Sequence, residues 1–189
     1  MCNHFTASVV GIAGGSFDKS STYSDRSPFC VVSMRGSDIC AINLRLIKVD
    51  GLDVTSTAID ILRRHTFDFA ITQGVSFSGF NVIDLHHLQR EFNKPIIAYM
   101  SQVPNPNSIL QALMKHFPDW RERWALFENL GPVHSTYLQT QKKRIYFEVV
   151  GASPETARLV LRETTQLSGV PEPLRISRLI ARGVSLIGS

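Results

Sequence analysis

Three aspartates carry the clearest chemistry in the sequence. Asp50 and Asp53 bracket Gly51-Leu52 at the end of an apolar stretch, and Asp84 stands at the start of a later helical pattern. Carboxylates gathered at strand ends suit a magnesium-dependent phosphodiester site, because hard divalent ions take oxygen ligands and pair with substrate phosphates. The same residues have a structural alternative: Asp53 is a natural N-cap for the helix that follows, and Asp84 is favourable in a first helical turn. Other chemistries find no support. Ser76 and Ser78, in Gln73-Gly74-Val75-Ser76-Phe77-Ser78-Gly79, do not form the G-x-S-x-G elbow of a hydrolase. The histidines, including the adjacent pair His86-His87, lack metal-ligand spacing, and that pair reads as mostly solvated. Cys2, Cys30 and Cys40 are odd in number and contain no C-x-x-C, which argues against a disulfide framework or a zinc site and for a reducing, cytoplasmic setting. Gly11-Ile12-Ala13-Gly14-Gly15 matches neither the dinucleotide fingerprint nor the phosphate loop and reads as a tight turn.

The elements that must position these residues form a mixed α/β order. Short Val- and Ile-rich runs predict strands at Thr6 to Ala13, Phe29 to Met34 and Ile39 to Val49, with a polar, substrate-facing loop from Ser16 to Pro28. Asp53 opens a helix to about Arg64 that buries Val54, Thr57, Ala58, Ile61 and Leu62. Phe69 to Thr72 and Pro95 to Met100 read as strands, separated by a helix that starts near Asn81 and ends at Lys94-Pro95. Two helices follow, with apolar stripes at Ile109, Leu110, Leu113, Met114 and Phe117, and at Trp120, Trp124, Phe127 and Leu130. A strand pair surrounds the basic turn Lys142-Lys143, Ser153-Pro154 starts a helix burying Ala157, Val160, Leu161 and Leu167, and a last helix covers Pro173 to Ala181. No linker or repeat divides the chain, so residues 1–189 read as one domain.

Charge is unevenly placed along this chain. The whole has 20 Lys and Arg against 16 Asp and Glu, yet residues 140–189 hold eight basic and four acidic side chains, so the entire excess lies there. Such an excess is either the footprint of a polyanion or a solvated basic face. Arg175, Arg178 and Arg182 share one face of the last helix, and Lys142, Lys143 and Arg144 cluster in the preceding hairpin; these six are the candidate nucleic-acid contacts, with DNA as partner. No apolar run approaches a membrane span of about 18 residues, so a membrane role is not expected.

Four segments together resemble one family: Val49-Asp50-Gly51-Leu52-Asp53-Val54-Thr55, then Gly74 to Asp84, then Lys94-Pro95-Ile96-Ile97, then Pro171-Glu172-Pro173-Leu174-Arg175-Ile176. They look like the archaeal endonuclease dU family, formerly domain of unknown function 99, which is similar to endonuclease V. The resemblance runs in order from Gly11 to about Gly183. It implies an RNase H-like mixed sheet with three leading antiparallel strands and helices on both faces. It also implies nicking of DNA at deaminated bases, a DNA repair role, with carboxylates holding magnesium or manganese.

The departures fall on those carboxylates. Where the family reads Gly-Ile-Asp-Asp-Gly this chain has Ala13 and Gly14, and where it reads Asp-Gly-Ile this chain has Gln73. Asp53 is then the remaining metal-ligand candidate, with Asp50 and the neutral oxygen of Gln73 beside it as vestigial catalytic positions. Magnesium sites depend on anionic ligands, so the resemblance with these losses implies a weakened or inactive nuclease, needing magnesium or manganese if active and no cofactor otherwise. An active enzyme would need a substitute ligand such as Asp18. The competing expectations are a noncatalytic nucleic-acid-binding or assembly protein on the same scaffold, and a protein-interaction role for the helix of Trp120 and Trp124, whose aromatics otherwise belong in the core.

Overall fold

The computed structural model describes residues 5–17 and 25–187, so Asp18 and Cys2 lie outside the described residues. The chain runs β1 (Ser8–Gly14), β2 (Arg26–Arg35), β3 (Asp38–Lys48), α1 (Val54–Leu62), β4 (Phe69–Gln73), β5 (Ser76–Phe77), β6 (Asn81–Val82), α2 (Leu85–Phe92), β7 (Ile96–Met100), α3 (Pro106–His116), α4 (Trp120–Glu128), β8 (His134–Leu138), β9 (Lys143–Val150), α5 (Pro154–Thr164) and α6 (Glu172–Ile187). Seven strands form one mixed sheet in the order β3-β2-β1-β4-β7-β9-β8. The three leading strands are antiparallel, β1, β4 and β7 are parallel, and β9 returns antiparallel to β7. This is the RNase H-like arrangement that the resemblance implies.

Helices cover both faces, which is why the inner strands are apolar on both sides. Val10, Ile12, Ala70, Ile96 and Ala98 face α1 and α2, while Val9, Ala13, Ile71, Ile97 and Tyr99 face α5 and the start of α6. The parity of each strand therefore assigns every side chain at the carboxyl ends of β1, β4 and β7 to one face or the other.

Several expected details differ. Gly11 and Gly14 make no turn: both lie within β1, and Gly15 N continues the pairing to Pro28 O at 2.7 Å. Their lack of a Cβ serves close approach. A Cβ on Gly11 would stand 2.1 Å from the carbonyl carbon of Pro173, and one on Gly15 would stand 2.4 Å from Ser185 Oγ, so α6 lies directly on β1. Buried Ser177 secures the contact, its Oγ 2.7 Å from Gly11 O and 2.8 Å from Pro173 O. Gly11→Ala is expected to lower stability by about 1–3 kcal/mol through overpacking against backbone that cannot yield. Urea denaturation reads this, and an unchanged midpoint would mean that α6 does not rest on β1.

The loop expected to reach Pro28 ends earlier, since β2 starts at Arg26. Asn81 starts no helix: it pairs in the small β5–β6 hairpin, and α2 begins at Leu85 after its cap Asp84. Asn93, at φ 50°, closes α2 in the left-handed conformation ahead of Pro95. Leu167 lies beyond α5 and is 73% exposed. Helix α6 extends past Ala181 to Ile187.

The largest differences are in α3 and α4. Of the first expected stripe only Leu113 is buried within α3, and Met114 is exposed. In α4 the buried residue is Arg123, while Trp120, Trp124 and Phe127 are half-buried. Periodicity reports which residues share a face, and here that face is divided: Leu113 and Leu130 are buried and Phe127 packs on the core, while Ile109, Trp124 and Phe127 also border a cleft. No described helix is long and apolar enough to cross a membrane.

Candidate functional site

The positions at which the resemblance implies acids, Ala13, Gly14 and Gln73, lie at the carboxyl ends of the parallel strands β1 and β4. Ile12 pairs with Thr72, so Ala13 and Gln73 are adjacent one residue further on, and Gln73 pairs with Tyr99 of β7. Parity turns Ala13 and Tyr99 to the α6 side, where both join the cluster containing Leu174. Gln73 Oε1 is buried without a hydrogen-bond partner. A carboxamide in that state forfeits roughly 1–3 kcal/mol of solvation, but as a neutral group it brings no charge to offset a dication.

The three aspartates are engaged elsewhere. Asp50 holds a left-handed backbone at φ 54°, its N donating to Ser78 O at 2.8 Å and its Oδ1 accepting from Phe80 N at 2.7 Å. Asp53 occupies the cap position of α1 without capping it: both carboxylate oxygens accept from Lys48 N at 3.2 Å, and Oδ1 accepts from Asn81 Nδ2 at 2.6 Å. Fully buried Asn81 takes over the cap, its Oδ1 accepting from Val54 N at 3.1 Å while its amide also donates to Lys48 O. Asp84 caps α2 by accepting from His87 N at 2.8 Å. His87 is exposed, as read from the sequence, whereas His86 is partly buried with Nε2 on Asn129 O.

These loops converge on Arg123, a residue that no motif or spacing in the sequence singles out. Its guanidinium donates to Gly51 O and Phe80 O, pairs with Asp119 at 3.0 Å and lies 4.5 Å from the centre of the Phe117 ring. The one legible signal was Asp119 four residues upstream, an ordinary helical pair. Arg123 thus fixes the Asp50-to-Asp53 turn against the β5–β6 hairpin.

Among the described residues no group of three or more His, Cys, Asp or Glu is placed to hold a metal ion. Asp50, Asp53 and Asp84 already serve the backbone, and the neutral oxygen of Gln73 is what remains beside Ala13. This donor set does not fit magnesium or manganese, which rely on carboxylates and water in near-octahedral array.

The basic residues divide by environment. Met100 pairs with Tyr146, so the Lys142-Lys143 turn lies at the carboxyl end of β7. Lys143 runs beside Gly169, whose carbonyl accepts from Tyr99 Oη at 2.9 Å. Arg178 also borders Tyr99: burial, and then the charge of Arg182, pull its guanidinium below the usual value while Tyr99 opposes them. Arg182 and Arg144 are exposed, Arg144 reaching Ser135 Oγ at 3.3 Å. Arg175 stands apart, bound to Glu172 at 2.7 Å near the start of α6. The arginine face expected from spacing is therefore split, with Arg175 paired to Glu172, Arg178 beside Tyr99 and Arg182, and Lys143 beside the Gly169 that binds Tyr99.

Comparison with known proteins agrees with this fold. The family model described as Endonuclease dU matches residues 6–185. A UPF0215 protein of Thermococcus gammatolerans is 35% identical over 181 residues, covering 93% of this chain and 91% of its own. A protein of unknown function from Archaeoglobus fulgidus has a solved structure similar to this one with TM-score 0.82 at 24% identity, over 94% of this chain and 98% of that one. Endonuclease V of Ciona intestinalis, in complex with a 23mer DNA containing an inosine followed by a ribo-adenosine, gives TM-score 0.66 at 12% identity, over 97% and 87%. The fold is that of endonuclease V.

Proposed function

The chain belongs to the endonuclease dU family, and from that premise we propose that it is a DNA-binding protein of the deaminated-base repair lineage whose nuclease centre is weakened or inactive. The observation that carries this reading is that neutral Ala13, Gly14 and Gln73 stand where the resemblance implies acids, while Asp50, Asp53 and Asp84 satisfy backbone donors. A scissile phosphate there meets no anion-held dication. It meets Lys142, Lys143, Arg178 and Arg182, which bind phosphate without activating water. On this reading the protein acts on DNA in the cytoplasm. Neither magnesium nor manganese has a step in this reading.

The test is incubation of the protein with DNA containing uracil or hypoxanthine, in magnesium and in manganese. Binding without nicking is expected. Robust metal-dependent nicking that disappears in Asp53→Ala would overturn the inactive reading. Binding itself should weaken with salt, because each phosphate neutralised contributes about 0.7–0.9 to the slope of log K against log salt. Lys143→Ala with Arg182→Ala is expected to reduce that slope by about 2, whereas Arg175→Ala leaves it unchanged because Arg175 is held by Glu172. Salt-independent binding, or none, would overturn the proposed interface.

A further inference from the structure

A cleft of about 480 Å³ opens at the same edge of the sheet, between the chain leaving β4 and the α3–α4 pair. Its walls are apolar, formed by Met100 and Ile109 on one side and by Trp124 and Phe127 on the other. The Trp124 and Phe127 rings are 6.0 Å apart and inclined by 26°, nearly parallel. Two polar residues, Gln73 and Glu148, line the inner part. A volume and lining of this kind suit a small, flat ligand fixed by a few polar contacts.

Glu148 is the unusual member. It lies on β9 opposite Ala98 and is 7% exposed, yet its carboxyl has neither hydrogen bond nor ion pair among the described residues. Buried carboxyls are ordinarily partnered. Glu148 pairs across the sheet with the small Ala98 and lines the cleft. Burial pushes its pKa up to about 7. Glu128 of α4 stands at the cleft wall, and no Lys, Arg or His lines the cavity. His134 of β8 turns to the opposite face of the sheet, against Phe147.

This lining excludes a phosphate, which would meet two carboxyl groups and no cation. It suits a flat heterocycle that brings N–H donors to an acceptor carboxylate. We infer that the cleft receives an unpaired purine with adjacent N–H donors on its Watson–Crick edge, as in guanine, with Glu148 accepting both and the Trp124 ring covering the base. Two parallel N–H groups match a carboxylate, whereas adenine offers it a donor beside an acceptor. Aromatic stacking supplies affinity that does not depend on base identity. The choice of a nucleobase among flat heterocycles rests on the nucleic-acid reading above.

Nucleosides separate this site from the basic edge because they lack phosphate. The full chain is titrated with guanosine and with adenosine at pH 8, followed by calorimetry and tryptophan fluorescence. Guanosine is expected to bind about tenfold or more tightly than adenosine, unaffected by salt and by Lys143→Ala with Arg182→Ala. Glu148→Gln should abolish the preference, and the half-buried Trp124→Ala should weaken both nucleosides while leaving the preference. No saturable guanosine binding, or a preference that survives in Glu148→Gln, overturns the inference. Guanosine binding without salt-dependent DNA binding would leave this site standing and remove the basic interface, and the converse result would remove this site alone.

Discussion

Arg123→Met is expected to destabilise the protein by about 3–5 kcal/mol, the range for removing one member of a buried, hydrogen-bonded ionic network. Arg123 is 4% exposed, and its guanidinium joins three separate pieces of chain: Asp119 on its own helix, Gly51 between β3 and α1, and Phe80 in the β5–β6 hairpin. Methionine fills much of the same volume, so the loss is of hydrogen bonds and not of packing. Each bond from a charged donor contributes about 1.5–3 kcal/mol, and both carbonyls lose theirs together. Asp119→Asn keeps an acceptor oxygen but leaves the buried Arg123 cation without its counter-ion, so it is expected to destabilise as well, by less than Arg123→Met because both carbonyl contacts remain. Urea denaturation of both variants decides the matter. Equal small effects would reduce Arg123 to an ordinary surface pair. The effect should also be local, with faster amide exchange at Phe80, whose N–H is held by Asp50.

Glu148→Gln is expected to remove a pH dependence of stability. The Glu148 carboxyl titrates near 7 in the fold against an ordinary 4.5, so the folded state holds the proton more tightly than the unfolded chain. Its stability contribution is fully present below pH 4.5, declines as pH rises, and is lost once pH passes about 7. The span corresponds to about 3 kcal/mol. Glutamine does not ionise, so the stability of Glu148→Gln relative to the parent should rise by about that amount between pH 4.5 and pH 8. His65, whose pKa burial lowers, acts in the opposite sense, but it is common to both proteins and cancels in the difference. Denaturation midpoints at several pH values provide the measurement, and a pH-independent difference would show that Glu148 is solvated and paired after all.

How much of this was legible in the residues can be seen element by element. The strand and helix alternation was, because sheet and helix impose different periods on apolar residues. Boundaries marked by strong local signals also emerged: Ser153-Pro154 starts α5 with the Ser153 hydroxyl accepting from Thr156 N at 3.2 Å. The β5–β6 hairpin was not legible, since two-residue strands have no period, and Asn81 was assigned to a helix for that reason. The glycines of β1 were read as a turn because a Gly signals freedom of backbone; that they instead admit α6 depends on a helix more than 150 residues away in sequence, as Ser177 and Gly11 are separated by 166 positions.

The candidate site divides in the same way. The sequence by itself determined which side chains stand at positions 13, 14 and 73: Ala13, Gly14 and Gln73 are facts of residue identity, and no folding can turn them into metal-binding anions. It also confined the basic excess to residues 140–189. The tertiary structure alone decided which charges are available. It engaged Asp50 and Asp53 on backbone amides, joined Arg175 to Glu172 while setting Arg178 and Lys143 around Tyr99, buried Arg123 against a carbonyl 72 residues away, and left Glu148 without a partner in an apolar cleft. The physical reason is that a charge's state depends on which groups surround it in space, and those groups come from segments that share no local pattern with it.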